Sequence, residues 1–198
     1  MTEIILASGS EIRQILLRNA GVDFRAVVAR VDEDAMRDGM LAEGASARDI
    51  ADALAEMKAQ KVSARHPEAL VIGCDQVLNL QGAMLTKPES REHAREQLMQ
   101  LRGKRHELLS AAVICEAGKP LWRHVGQVRL TMRMFSESYL DAYIARNWDS
   151  IRHSVGAYKL EEEGVRLFSQ VQGDYFTVLG LPLLELLSYL TLRGDLDG

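Results

Sequence analysis

Leu70-Val71-Ile72-Gly73-Cys74-Asp75 is the stretch whose reading decides the fold class. A short apolar run of this kind reads as a buried strand that ends at Asp75, and Val77 to Leu80 continues it into a hairpin around Gln81-Gly82. Upstream, Asp49 to Ala64 has a helical pattern that Ser46 or Asp49 can cap. Further back, Ile4 to Ala7 is a second short buried strand, followed by a small-residue turn, Ser8-Gly9-Ser10. An amphipathic helix carrying Ile12, Ile15, Leu16 and Leu17 comes next and stops at Gly21. Ser8 and Glu11 stand in capping-box spacing, with Ser10 as the alternative N-cap. Phe24 to Val31 reads as extended, and the acidic sequence to Gly44 as a loop with one helical turn.

Downstream, Lys87-Pro88 introduces a helix from Ser90 to Leu101, closed by Gly103. His106 to Glu116 and Leu121 to Met134 are strands separated by an Ala117-Gly118-Lys119-Pro120 turn. Ser136 to Asn147 is helical, Arg166 to Val171 extended, and Leu183 to Leu192 a final apolar helix. Strands that alternate with helices but also form hairpins predict an α/β fold with a mixed sheet and flanking helices. The expectation is one domain over residues 1–198.

Composition narrows the class of protein. The 198 residues are 47% hydrophobic and 26% charged, with a formal net charge of −4, an ordinary globular balance. Cys74 and Cys115 are too few for a disulfide framework and lack CxxC spacing. Apolar runs are far too short for a membrane span, and the N-terminus lacks the basic region of a signal peptide. The mild acidity disfavours a broad nucleic-acid surface. These features predict a cytoplasmic protein with neither nucleic acid nor membrane as partner, and leave open whether it forms a homodimer.

Several residues sit oddly for stability. Arg13 lies in the first turn of a helix, where a cation is unfavourable unless an anion joins it; an ordinary solvated arginine is the alternative. Lys58 interrupts the ladder Ile50, Leu54, Val62 on one helical face, so it either snorkels or aims its ammonium into a cleft. Asp75 closes a presumed central strand, a position suited to catalysis or metal binding, or else bonds into the following turn. Glu33 is a second carboxylate or part of a solvated acidic loop. Lys87 is conformationally restricted by Pro88. Cys74 reads as a small buried side chain and Glu161-Glu162-Glu163 as an exposed turn. The five histidines form no ligand cluster, which argues against zinc hydrolysis. Three cations, two carboxylates and a small-residue anion turn suit a polyphosphate with a hard divalent metal on oxygen ligands.

These motifs together resemble the Maf (septum-formation) family of nucleoside triphosphate pyrophosphatases. Leu6-Ala7-Ser8-Gly9-Ser10-Glu11-Ile12-Arg13 is similar to the family's LASxSPRR opening, and Val31-Asp32-Glu33 to its acidic DE. Leu54 to Ala59 is similar to LAxxKA, Gly73 to Val77 with Lys87-Pro88 to GxDxxV followed by KP, and Gly156-Ala157-Tyr158 to GAY. Gly173 to Leu183 is similar to GxYxxVxGLPL.

The resemblance implies two lobes around a central cleft, and hydrolysis of a nucleoside triphosphate to the monophosphate and pyrophosphate. In that reading Asp75 activates water and, with Glu33, holds a Mg or Mn ion. Lys58 and Lys87 serve catalysis, while Ser8, Gly9, Ser10 and Arg13 bind phosphates. One arginine of SPRR is replaced by Ile12. Gln76 and Glu161 stand where members acting on dTTP and UTP have Thr and Gln, and the pair is similar to the branch associated with 7-methyl-GTP. That branch carries an aromatic residue at the place of Ile12. A carboxylate at Glu161 suits a guanine edge or a cationic methylated base. The alternative function is a nucleotide-binding regulator of septation with little turnover.

Overall fold

The computed structural model of the chain describes residues 2–197; Met1, which opens the N-terminal segment read above, and Gly198 lie outside them. A seven-stranded mixed sheet carries the fold. Its strands are β1 (Ile4–Leu6), β2 (Arg25–Ala26), β3 (Leu70–Leu80), β4 (Ala83–Leu85), β5 (Arg105–Glu116), β6 (Lys119–Met132) and β7 (Phe168–Gln172). The spatial order is β2-β1-β3-β5-β6-β7, with β4 paired to β3. β1 runs parallel to both β2 and β3, and the β3-β5-β6-β7 set is antiparallel. The helices are α1 (Glu11–Asn19), α2 (Glu33–Ala42), α3 (Ala47–Ser63), α4 (Arg91–Leu101), α5 (Glu137–Ile151), α6 (Tyr175–Val178) and α7 (Leu183–Arg193).

Both sheet faces are covered, which is why β3 reads as a nearly unbroken apolar run. Leu70, Ile72, Cys74 and Leu78 enter the larger core with α1, α4, α5 and α7 residues. Val71 and Val77 face the other way, into a smaller core formed with Ile50, Leu54, Ala55 and Ala59 of α3. That side is packed to backbone contact: a Cβ on Gly73 would stand 2.1 Å from the Ala55 carbonyl oxygen.

Two local expectations are corrected and a third is refined. The acidic stretch expected as a loop is α2, a ten-residue helix. Asp32 caps it by accepting from the Ala35 N–H at 3.0 Å, Glu33 and Asp34 complement the dipole, and Met36 and Met40 pack on the smaller core. The capping box between Ser8 and Glu11 does not form: Ser10 is the N-cap of α1 and makes no side-chain cap bond. The refinement concerns Asp75: Val77 to Leu80 continues the strand to its hairpin as expected, but β3 also passes through Asp75 and Gln76 without a break, so Asp75 is mid-strand. The hairpin then turns at Gln81 and Gly82, both at positive φ.

The extended β3 creates the cleft. On the edge away from β5, β1 pairs with β3 only as far as Ile72, and β4 begins pairing only at Leu78. Between them, residues 73–77 have no strand neighbour on that edge. No helix among the described residues is long and apolar enough to cross a membrane.

Candidate active site

An open cleft of about 1660 Å³ lies over this unpaired edge. Its lining contains every candidate named above: Ser8, Gly9, Ser10, Arg13, Glu33, Lys58, Asp75, Gln76, Lys87 and Glu161. Six separate stretches of sequence therefore converge on one concave surface.

At its centre α3 delivers Lys58 to the same face of β3 as Asp75. The ammonium does not snorkel to the surface; Lys58 is 8% exposed and Asp75 7%. Lys58 Nζ lies 2.7 Å from Asp75 Oδ1 and 3.0 Å from Glu33 Oε2, the carboxylate that α2 brings from the opposite side. Burial raises the Asp75 carboxyl above its ordinary range, while Lys58 and then Arg13 pull it back and Glu33 adds to the rise. The segment leading into α2 is tied down separately, because Lys61 Nζ donates to the Arg30 carbonyl.

Arg13 is held by the protein more than by solvent. Its Nε donates to the Gly180 carbonyl at 2.7 Å, and Nη1 donates to Ser8 Oγ at 3.2 Å and to the Cys74 carbonyl at 3.3 Å. Ser8 Oγ also accepts from the Ser10 N–H at 3.2 Å, which closes the small-residue turn. Gly180, at φ +98°, leaves room for the guanidinium: a Cβ there would stand 3.2 Å from Nη2. Lys87 is exposed on the cleft wall, with no carboxylate paired to it among the described residues.

Gln76 follows Asp75 but points to the opposite sheet face, as strand alternation requires. Its Nε2 donates to the Val178 carbonyl at 2.9 Å, to Ser110 Oγ at 3.0 Å and to the Thr177 carbonyl at 3.2 Å. Cys74 is buried and its thiol is pushed up by desolvation, so it packs, as expected, without nucleophilic character.

The Glu161-Glu162-Glu163 run is more than an exposed turn. Glu163 accepts from Arg146 Nη2 at 2.6 Å and Asn147 Nδ2 at 2.8 Å, and Glu162 from Ser150 Oγ at 2.7 Å, all on α5. Two of the three carboxylates thus anchor the loop, leaving Glu161 at the cleft, where desolvation raises its carboxyl. Behind it, Tyr158 Oη lies 2.8 Å from Nε2 of the buried His106.

Two participants escaped the sequence reading. Ser110, fully buried beside Gln76, shows only as one hydroxyl inside the apolar run of β5. The main-chain carbonyls of Thr177 and Val178 leave no mark in sequence at all.

A family profile described as Maf-like protein matches residues 3–192. A protein of Ruegeria sp. named nucleoside triphosphate pyrophosphatase is 65% identical over 196 residues, covering 99% of this chain and 98% of its own. One of the same name from Caulobacter vibrioides is 53% identical over 99% of this chain and 98% of its own. A protein of Mesorhizobium japonicum named 7-methyl-GTP pyrophosphatase is 49% identical over the full length of both.

Proposed function

The chain belongs to the Maf family, and from that premise we propose that it hydrolyses a nucleoside triphosphate to the monophosphate and pyrophosphate. The observation that carries the reading is the buried Lys58–Asp75 ion pair at the unpaired edge of β3, joined by the half-exposed Glu33, in one cleft with Lys87 and the Ser8–Ser10 turn. A buried ion pair contributes little to stability for its desolvation cost, so its presence in a cleft favours a chemical role.

In this reading Asp75 takes the proton of the attacking water on Oδ2, the oxygen not bonded to Lys58. The water oxygen forms its bond to the α-phosphorus as the bond from that phosphorus to the bridging oxygen breaks, and pyrophosphate leaves. Lys58 favours the ionised form of Asp75 against its burial. Lys87 and the uncapped N–H groups opening α1 receive phosphate charge. The donor set fits a divalent cation: Glu33 keeps one oxygen outside the ion pair, Asp75 Oδ2 has a second lone pair besides the one that takes the proton, and Mg or Mn is commonly held by one or two carboxylates plus substrate phosphates. When bound, such an ion neutralises charge on the phosphate oxygens. The pairing of Gln76 with Glu161 favours guanine-type bases, 7-methylguanine included. The setting is the cytoplasm, where free nucleoside triphosphates are used.

Pyrophosphate release from GTP, 7-methyl-GTP, dTTP and UTP, with Mg²⁺ or Mn²⁺, tests the reading. Asp75→Asn is expected to cut turnover by roughly 10²–10⁴-fold without loss of fold. Near-normal turnover in that variant, or nucleotide binding with no pyrophosphate from the wild type, would overturn it.

A further inference from the structure

Gln76, Ser110 and Gly126 form a row straight across the sheet, each opposite the next in register on β3, β5 and β6. The last two are small, and α6 settles onto the sheet above them. A Cβ on Gly126 would stand 2.6 Å from Thr177 Oγ1. Asp174 caps α6 by accepting from the Thr177 N–H at 2.7 Å, which fixes the start of the helix, and Gly126 lets Thr177 approach the sheet.

This docking dictates the polarity of the Gln76 amide. Ser110 Oγ donates to the Thr177 carbonyl at 2.7 Å, which uses its proton and leaves it an acceptor toward Gln76. The carbonyls of Thr177 and Val178 are acceptors as well. A flipped amide would set its oxygen against three acceptors, so the nitrogen must face the wall. The oxygen, Oε1, has no protein partner among the described residues and is not among the buried unpaired atoms, so it is accessible on a side chain that lines the cleft.

We propose that Ser110, together with the α6 carbonyls seated over Gly126, is a polarity lock that makes Gln76 present only an acceptor to the base, and so selects bases that offer a donor. The inference rests on the pyrophosphatase reading and deepens it. The Watson–Crick edge of guanine presents two adjacent donors, N1–H and the 2-amino group, whereas uracil and thymine present one donor between two acceptors. A cleft offering Gln76 Oε1 and the Glu161 carboxylate matches the first pattern. Ser110 is a positioning residue here: it acts on the base through Gln76.

The test compares kcat/KM for GTP and UTP in wild type, Ser110→Ala and Ser110→Thr. Ser110→Ala removes one of the three acceptors around the Gln76 nitrogen and the hydroxyl that fixes the Thr177 carbonyl, so it loosens the amide and is expected to lower the GTP:UTP ratio by up to about tenfold, mainly through KM for GTP. Ser110→Thr, which keeps the hydroxyl, is expected to restore it. An unchanged ratio in a folded Ser110→Ala protein overturns the proposal, as does a wild type that prefers UTP or dTTP. If Ser110→Ala does not fold, wild-type rates on GTP and 1-methyl-GTP decide: loss of N1–H should cost at least about tenfold, and equal rates overturn the lock. Absence of pyrophosphate from every nucleotide would instead defeat the pyrophosphatase reading, and the ranking of thermal shifts with the same nucleotides would then test the lock.

Discussion

Asp75 carries two opposed influences, burial that favours its neutral form and an ammonium 2.7 Å away that favours its charged form. Burial dominates, so the carboxyl titrates above its ordinary value, and a base that must be ionised loses activity as pH falls through that raised value. The acid limb of the pH–rate profile should therefore lie above the usual carboxylate range. Lys58→Met removes the strongest opposing influence and should move the limb to higher pH, a shift that kcat/KM measured across pH detects. A limb that stays in place would mean that Lys58 does not control Asp75. Lys58 could be singled out in the sequence because it breaks an apolar ladder. The pairing with Glu33 could not, since it joins residues 25 positions apart (58 − 33) through the placement of α2.

The distance between α3 and β3 sets the geometry of the site at the level of elements. Gly73 permits backbone contact there; a Cβ would lie 2.1 Å from Ala55 O and 2.6 Å from Ala59 N, atoms that belong to helix backbone and cannot rotate away. Gly73→Ala should separate the two elements, cost about 1–3 kcal/mol of stability by overpacking, and lift Lys58 away from Asp75. Denaturant unfolding and pyrophosphate release should fall together in this variant. Most elements were legible because their apolar period and turn residues agree, as in the β3–β4 hairpin at Gln81-Gly82. α2 was not: its acidic residues and Gly39 mask a stripe of only Met36 and Met40, and it forms because the smaller core accepts those two side chains. The unbroken passage of β3 through Asp75 and Gln76 was not legible for a related reason. Asp75 and Gln76 look like the polar close of a strand, yet β5 pairs through both of them to Asn79.

Across the whole molecule, a buried histidine behind Tyr158 of the cleft lining makes stability depend on pH. His106, 1% exposed, is pushed down to about 4 by burial, against 6.5 for an unperturbed imidazole. Below pH 6.5 the unfolded chain takes up a proton that the folded protein refuses. Its contribution is therefore complete above that pH and is lost as pH falls toward 4, by roughly 3 kcal/mol in all. Unfolding followed from pH 7.5 to 4.5 should show this slope, and His106→Gln should flatten it; equal slopes in both proteins would place the dependence elsewhere. By itself, the sequence determined the α/β class, the principal strands and helices, and the set of side chains with chemistry to offer, because these follow from local period, turn chemistry and motif spacing. Only the tertiary structure decided that β3 runs on past β1 to leave an open edge, that Lys58 holds two carboxylates at once, and which end of the Gln76 amide is left free at the cleft. Those outcomes depend on strand register and on main-chain carbonyls, and neither is written in the identity of any one residue.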